Sequence, residues 1–310
     1  ALAFRVEFDA DSVIPSPSAR YWRALVLHHY DGATWSRKGV DMDTAPQVQW
    51  GGASAWQPEI TAEQLSYRYR VMMEPTDQRW LFALAWARSD TQGVGSSRDF
   101  RLLKRNSVSQ PFSYQVESFI GSALDAKGLA PGLRQINLQL PNGGDPRARA
   151  LAQRMWTNAR SADDYVNAVL DLFRQQPFRY TLNPPLLSGD RIDQFLFTSR
   201  SGFCSHYAGA FVFLMRAAGL PARVVAGYQG GEINPLGGHL LVHQFDAHAW
   251  AEVWLPGKGW TRADPTAYVA PERVEQGIEQ ALAGENSFLE SSPFSPLRYR
   301  HLAWVSQLRL

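Results

Sequence analysis

The chain has 310 residues, 45% hydrophobic and 19% charged, with a formal charge of +2 and one cysteine. That length supports about two domains with packed cores, and the composition excludes a disulfide-stapled miniprotein, a disordered chain and a fibrous repeat. The basic residues are scattered and nearly balanced by acidic ones, too weak a field to argue for a nucleic-acid partner.

Period-two alternation dominates residues 1–122. Phe4, Val6 and Phe8 alternate with polar neighbours, as do Tyr67, Tyr69, Val71 and Met73, and then Phe112, Tyr114 and Val116, which predicts half-buried strands. A more continuous apolar run from Tyr21 to Leu27 precedes Asp31-Gly32, a dipeptide suited to a tight hairpin. His28-His29, before that turn, reads as an edge or surface feature. An antiparallel β-rich domain over 1–122 is expected, followed by a linker over 123–144 that is rich in Gly, Pro and Ala and ends in Asn142-Gly143-Gly144.

A second domain is expected over 145–286. Asp145-Pro146 predicts an N-cap with proline at the first helical position, and Ser161 with Asp164 predicts a capping box for a helix that Pro177 stops. Helical spacing resumes from Cys204 through Tyr207, Phe211 and Met215 to Gly219-Leu220-Pro221. Strands follow at 223–228, 240–245, 248–255 and 260–263. The longest uninterrupted apolar run, Ala208 to Met215, is far short of the roughly 20 residues of a membrane-spanning helix. The missing initial methionine suggests a piece of something longer. In the tail over 287–310, Tyr299, Trp304 and leucines mix with Arg298, Arg300 and Arg309, the texture of an interfacial segment or of a plain terminal helix; the helix is expected.

Cys204 opens its helix, where free backbone N–H groups and the helix dipole favour a thiolate. A lone buried cysteine also serves as a small hydrophobe, and both readings stand for the residue by itself. Downstream, Leu255-Pro256-Gly257-Lys258-Gly259 reads as a hairpin turn that pairs Trp254 with Trp260 and Glu252 with Arg262. Asp264 then falls diagonally beside His248 on one face. A thiol at a helix N-terminus and a His–Asp pair are the parts of a Cys-His-Asp acyl-transfer site, although an ordinary buried His–Asp pair fits the same register. Asp246 shares a face with His248 and competes as its partner; the cross-strand Asp264 is preferred. Trp250 and Trp254 lie on that face as cleft walls or as core, and His206 is expected on another face of its helix as wall or surface. The glycine-rich 229–238 stretch reads as a lid or a passive loop. His239 and His243, on a strand, would stand about 13 Å apart at about 3.3 Å per residue, too far to share a metal ion, so no metal is expected.

Four blocks resemble the transglutaminase-like superfamily, thiol acyl transferases of papain-like fold. They are Ser201-Gly202-Phe203-Cys204, the stretch from Arg216 to Tyr228, His248-Ala249-Trp250-Ala251-Glu252-Val253, and the stretch from Gly259 to Thr266. The β-rich start is similar to the bacterial membrane-anchored subgroup. The resemblance implies an α+β fold with a papain-like catalytic domain, with Cys204 as nucleophile, His248 as base and Asp264 orienting His248. It implies no cofactor, protein or peptide substrates offering a glutamine donor and an amine acceptor, and a periplasmic domain of a bacterial inner-membrane protein. Ser205 departs from the larger polar residue common after the nucleophile, and no acidic calcium site is present in the sequence. A cysteine peptidase or amidase, and a non-catalytic envelope scaffold or binding module, are the alternatives.

Overall fold

The computed structural model describes residues 1–51, 54–61, 63–277 and 307–310. The expected tail lies outside the described residues up to position 306. Gln307–Arg309 form a strand paired with Thr34–Ser36, so the expected terminal helix does not extend to them: the edge of the Asp31-Gly32 hairpin offers unpaired backbone groups, and pairing satisfies them.

Two antiparallel sheets carry the fold, and each draws strands from both halves of the chain. The six-stranded sheet runs Glu232–Ile233, Leu240–His243, Leu2–Phe8, Ser66–Met73, Phe112–Phe119 and Trp86–Arg88. The five-stranded sheet runs Gly259–Ala263, Ala247–Leu255, Ala222–Gln229, Tyr21–Leu27 and Ala83–Leu84. The alternating segments at Phe4, Tyr69 and Tyr114 are the strands their period predicts, with Val71 paired to both Val6 and Tyr114. The Tyr21–Leu27 run is continuous because every residue of it is buried. It lies against Ala222–Gln229 in the five-stranded sheet rather than with its neighbours in sequence. The texture change between residues 122 and 145 is therefore a division along the chain, while in space the two halves exchange strands. Phe4 joins the two sheets, stacked on Phe82 at 4.5 Å between ring centroids and edge-on to Trp22 at 5.4 Å and Tyr228 at 5.5 Å.

The helices start largely where their caps predict. Ser161 Oγ accepts the Asp164 N–H at 3.1 Å, and the helix Ala162–Gln175 stops before Pro177. The helix Pro146–Asn158 begins at its proline, but Asp145 does not cap it. Asp193 does, its carboxylate accepting the N–H groups of Arg147 and Ala148 at 3.0 and 2.7 Å, while Asp145 turns back to accept the Asp193 N–H at 3.0 Å. The expected linker contains a helix, Pro131–Ile136. The helix Cys204–Ala217 is buried from Cys204 to Arg216, as a helix apolar on all sides must be. It ends in a Schellman motif, with Gly219 at φ +87° and the Leu220 N–H returning to the Met215 carbonyl at 2.9 Å. Its contact strand presents Ala247, Ala249, Ala251 and Val253 to the same core, and these small side chains let the helix lie close.

A buried ionic network ties the halves together. Glu252 accepts from Arg23 on both carboxylate oxygens and from Arg223 Nε at 2.9 Å, and these charges hold its pKa at about 2 against the burial that would raise it. His28 is buried, contrary to the surface reading. Its Nδ1 lies 2.9 Å from Asn137 Oδ1 and its Nε2 3.2 Å from Asp99, which pairs in turn with Arg101 at 2.8 Å. A histidine flanking a hairpin reads as exposed only until the linker residue Asn137 folds over it. Among the described residues no helix is long and apolar enough to cross a membrane.

Removing one partner of a buried ion pair strands the other. Glu252→Ala is expected to destabilise the protein by about 3–5 kcal/mol in urea denaturation, and a loss below 1 kcal/mol would show that Arg23 and Arg223 find other compensation.

Candidate active site

The register predicted for the hairpin is the one observed: Trp254 pairs with Trp260, Glu252 with Arg262 and Ala251 with Ala263. Asp264 follows the last pair and meets His248 diagonally, with His248 Nε2 2.8 Å from Asp264 Oδ2. Asp246 makes a different contact, accepting the His243 N–H on Oδ2 at 2.9 Å. His248 pairs across its other edge with Gly227, at a β-bulge in the neighbouring strand pair. Any Cβ at Gly227 would stand 1.8 Å from the Trp22 carbonyl oxygen, so only glycine lets the strands close here.

Cys204 is the first residue of its helix and is 4% exposed. A short parallel pair, Arg179–Tyr180 with Ser201–Gly202, delivers the chain to it. A Cβ at Gly202 would press to 2.7 Å of His206, which sets the tightness of that entry. His206 is interior: its Nδ1 accepts the Phe203 N–H at 3.3 Å, and burial lowers its pKa to about 4, so it is neutral. The structure thus brings Cys204, His248 and Asp264 together and leaves His206 and Asp246 to other work.

Burial opposes ionisation of the Cys204 thiol, yet its pKa falls below the ordinary value because the His248 imidazole, the Arg273 charge and the Ala249 N–H together outweigh desolvation. Burial likewise opposes the His248 imidazolium, and Asp264 with Cys204 overcomes it and raises the pKa. Asp264 stays ionised although buried, since His248, the Tyr21 hydroxyl and the Thr266 N–H all stabilise its charge. His248 Nδ1 has no hydrogen-bond partner and is the ring nitrogen left for the thiol. Such a set can form a thiolate–imidazolium pair at neutral pH and direct it at an electrophilic carbon.

Three neighbours escaped sequence reasoning. Tyr21 donates to Asp264 Oδ2 at 2.6 Å, with Trp250 edge-on at 5.1 Å and the Arg262 guanidinium 4.0 Å over its ring. Tyr180 stands on the strand paired with Ser201–Gly202, and Arg273 is buried on the short helix Pro271–Glu275, where its charge helps lower the Cys204 pKa. Tyr21 sits in an apolar run 243 positions from Asp264, and Arg273 in a short helix beyond the last predicted strand. No local spacing marks either. Among the described residues no group of three or more His, Cys, Asp or Glu side chains is placed to hold a metal.

Residues 1–125 match the model of the TgpA N-terminal domain, and residues 149–265 that of the transglutaminase-like superfamily. A protein-glutamine gamma-glutamyltransferase of Pseudomonas aeruginosa is 49% identical over the whole chain, which spans 44% of that protein's length. An uncharacterised Bacillus subtilis protein, YebA, is 37% identical over 42% of the chain and 18% of its own length. The crystal structure of the periplasmic domain of TgpA from Pseudomonas aeruginosa superposes with a TM-score of 0.81 at 48% identity, covering 90% of this chain and 92% of that one.

The Tyr21 bond has a pH signature. Because the folded pKa of Asp264 is depressed, its stabilisation is present above the ordinary value of 3.8 and is lost as pH falls through the folded value. Tyr21→Phe removes one donor and raises that folded value, so the stabilisation is smaller and its loss is complete at a higher pH. The variant is expected to lose about 1.5–3 kcal/mol at pH 7 and to unfold in acid at a higher pH than the native chain, both read by urea denaturation along a pH series; an unmoved acid midpoint would contradict the assignment.

Proposed function

The chain belongs to the transglutaminase-like superfamily, and from that premise we propose that it is the acyl-transfer domain of a protein-glutamine gamma-glutamyltransferase with Cys204 as nucleophile, His248 as general base and Asp264 as the group that orients His248. The observation that carries this reading is the alignment of His248: Nε2 is committed to Asp264 at 2.8 Å, which leaves Nδ1 for the thiol at the helix N-terminus.

The Cys204 thiolate attacks the carboxamide carbon of a glutamine side chain, and a tetrahedral oxyanion forms beside the Cys204 backbone N–H. Imidazolium gives its proton to the departing nitrogen, ammonia leaves, and a thioester remains on Sγ. A primary amine, such as a lysine side chain, then attacks the thioester while His248 takes its proton. The C–S bond breaks, the amide forms and the thiolate returns. Cys204, His248 and Asp264 are 4%, 0% and 8% exposed, so water is scarce at the thioester, which favours an amine over hydrolysis. Likeness to the TgpA periplasmic domain supports a periplasmic setting; an inner-membrane anchor, with proteins or peptides linked to the cell envelope as substrates, belongs to the same proposal.

Ammonia release and product mass, measured with a glutamine-bearing peptide and a primary amine, test the reading. The native chain is expected to form the amide, and Cys204→Ala to lose at least about a thousandfold in rate. Equal rates in the two proteins would overturn it, and a purely acid product would reassign the enzyme as an amidase.

A further inference from the structure

Beside the three site residues lies a cleft that the proposed chemistry does not use. Its volume is about 580 Å³, room for several side chains of a peptide. Two of its lining rings, Tyr21 and Trp250, flank His248, with centroids 6.1 and 6.2 Å from the imidazole. Cys204, His248 and Asp264 do not line it, so the cleft is a neighbour of the site and not the thiol pocket itself.

Both halves of the chain build its walls. Trp86 and Phe119 come from paired strands of the six-stranded sheet, with ring centroids 5.2 Å apart. Ala85, at φ +49°, turns the chain out of the five-stranded sheet and into the Trp86 strand, a conformation that costs a residue with a Cβ. The hairpin supplies Lys258, Trp260 and Arg262, and the Trp260 N–H donates to the Leu124 carbonyl at 2.9 Å, which ties the two halves together at the cleft.

Charge in the cleft is uneven. Its cations are Arg23, Lys258 and Arg262, and its one carboxylate, Glu252, is already engaged by Arg23 and Arg223. Lys258 pairs with Asp163 at the surface. Arg262 is exposed and stacks 4.0 Å over the Tyr21 ring, and among the described residues no carboxylate pairs with it. A guanidinium stacked on its face keeps its in-plane N–H donors available to a carboxylate.

We propose, on the transglutaminase reading of the site, that this cleft holds the acidic flank of the glutamine-donor peptide, with Arg262 pairing a substrate carboxylate and the aromatic walls packing the side chains between. The steps from guanidinium to Tyr21 ring and from that ring to the imidazole are 4.0 and 6.1 Å. Together they match about three residues of extended peptide at about 3.3 Å each. A lysine acceptor arrives as an ammonium, which Lys258 and Arg262 repel, so this side of the site suits the donor.

Binding and turnover test the assignment separately. Dye-labelled peptides with one glutamine, identical except for glutamate, serine or lysine about three residues to either side of it, are titrated onto Cys204→Ala and followed by anisotropy. The glutamate peptide is expected to bind about fivefold tighter than the serine peptide, the worth of one well-placed exposed ion pair, and the lysine peptide more weakly than either. Adding Arg262→Gln should bring the three within about twofold of one another, and Arg262→Glu should reverse the order. Arg154→Gln, on the exposed side of the helix Pro146–Asn158, controls for net charge and should keep the preference. In turnover by the native chain with a primary amine, the same preference should appear in KM, because Arg262 lies away from the reacting atoms. Equal binding of the three peptides, or a preference that survives both Arg262 substitutions, would overturn the proposal. Selective binding without turnover of any peptide would strike the transferase reading and leave the cleft assigned to acidic peptides.

Discussion

One carboxylate oxygen organises the site. Asp264 Oδ2 accepts from the Tyr21 hydroxyl at 2.6 Å and from His248 at 2.8 Å, and Oδ1 accepts from the Thr266 N–H at 3.0 Å. Those donors stand on three different stretches of chain, and bringing them to one point requires the five-stranded sheet to be complete. The strand with Tyr21 must pair with Ala222–Gln229, that strand with the one bearing His248, and the last with Gly259–Ala263. A buried carboxylate without donors would protonate, and an imidazole without the carboxylate would lose the reason to ionise. The conformation of the sheet and the charge state of the thiol are linked through that oxygen.

The surrounding interior is unusually charged, and the geometry makes this tolerable. Glu252 sits four residues from His248 on the same strand face, clamped by Arg23 and Arg223, and Arg223 also stacks on Trp260 at 3.8 Å. Buried ion pairs contribute little net stability, but they penalise any register that separates them. A slip of the Ala247–Leu255 strand by one residue against Ala222–Gln229 would turn Glu252 away from Arg23 and Arg223, and His248 with its Asp264 partner away from Tyr21, together. The ionic network, which joins residues from both halves of the chain, thus guards the register on which the site depends.

Burial of the thiol has a chemical consequence as well. A cysteine shut away from water is normally an inert hydrophobe, and the two readings of Cys204 differ only in what surrounds it. Here desolvation is overcome by His248, by the Ala249 N–H and by the Arg273 charge. The same dryness that makes the thiolate costly would protect the thioester of the proposed reaction.

Cys204 at its helix start, the Trp254–Trp260 register and the diagonal meeting of His248 with Asp264 were legible in the sequence because each depends on local rules: helix capping, turn chemistry and the period of two along a strand. Tyr21, Tyr180, Arg273, the burial of His28 and the capping of one helix by Asp193 were not. Each depends on segments far apart in sequence meeting at a few ångströms, and no local pattern encodes such a meeting. The chain by itself determined most of the elements and the residues proposed to carry the chemistry. Tertiary structure alone decided that the first half of the chain lends a strand and a tyrosine to the site, because closing a sheet is a non-local event whose contacts are set by packing and not by the order of residues.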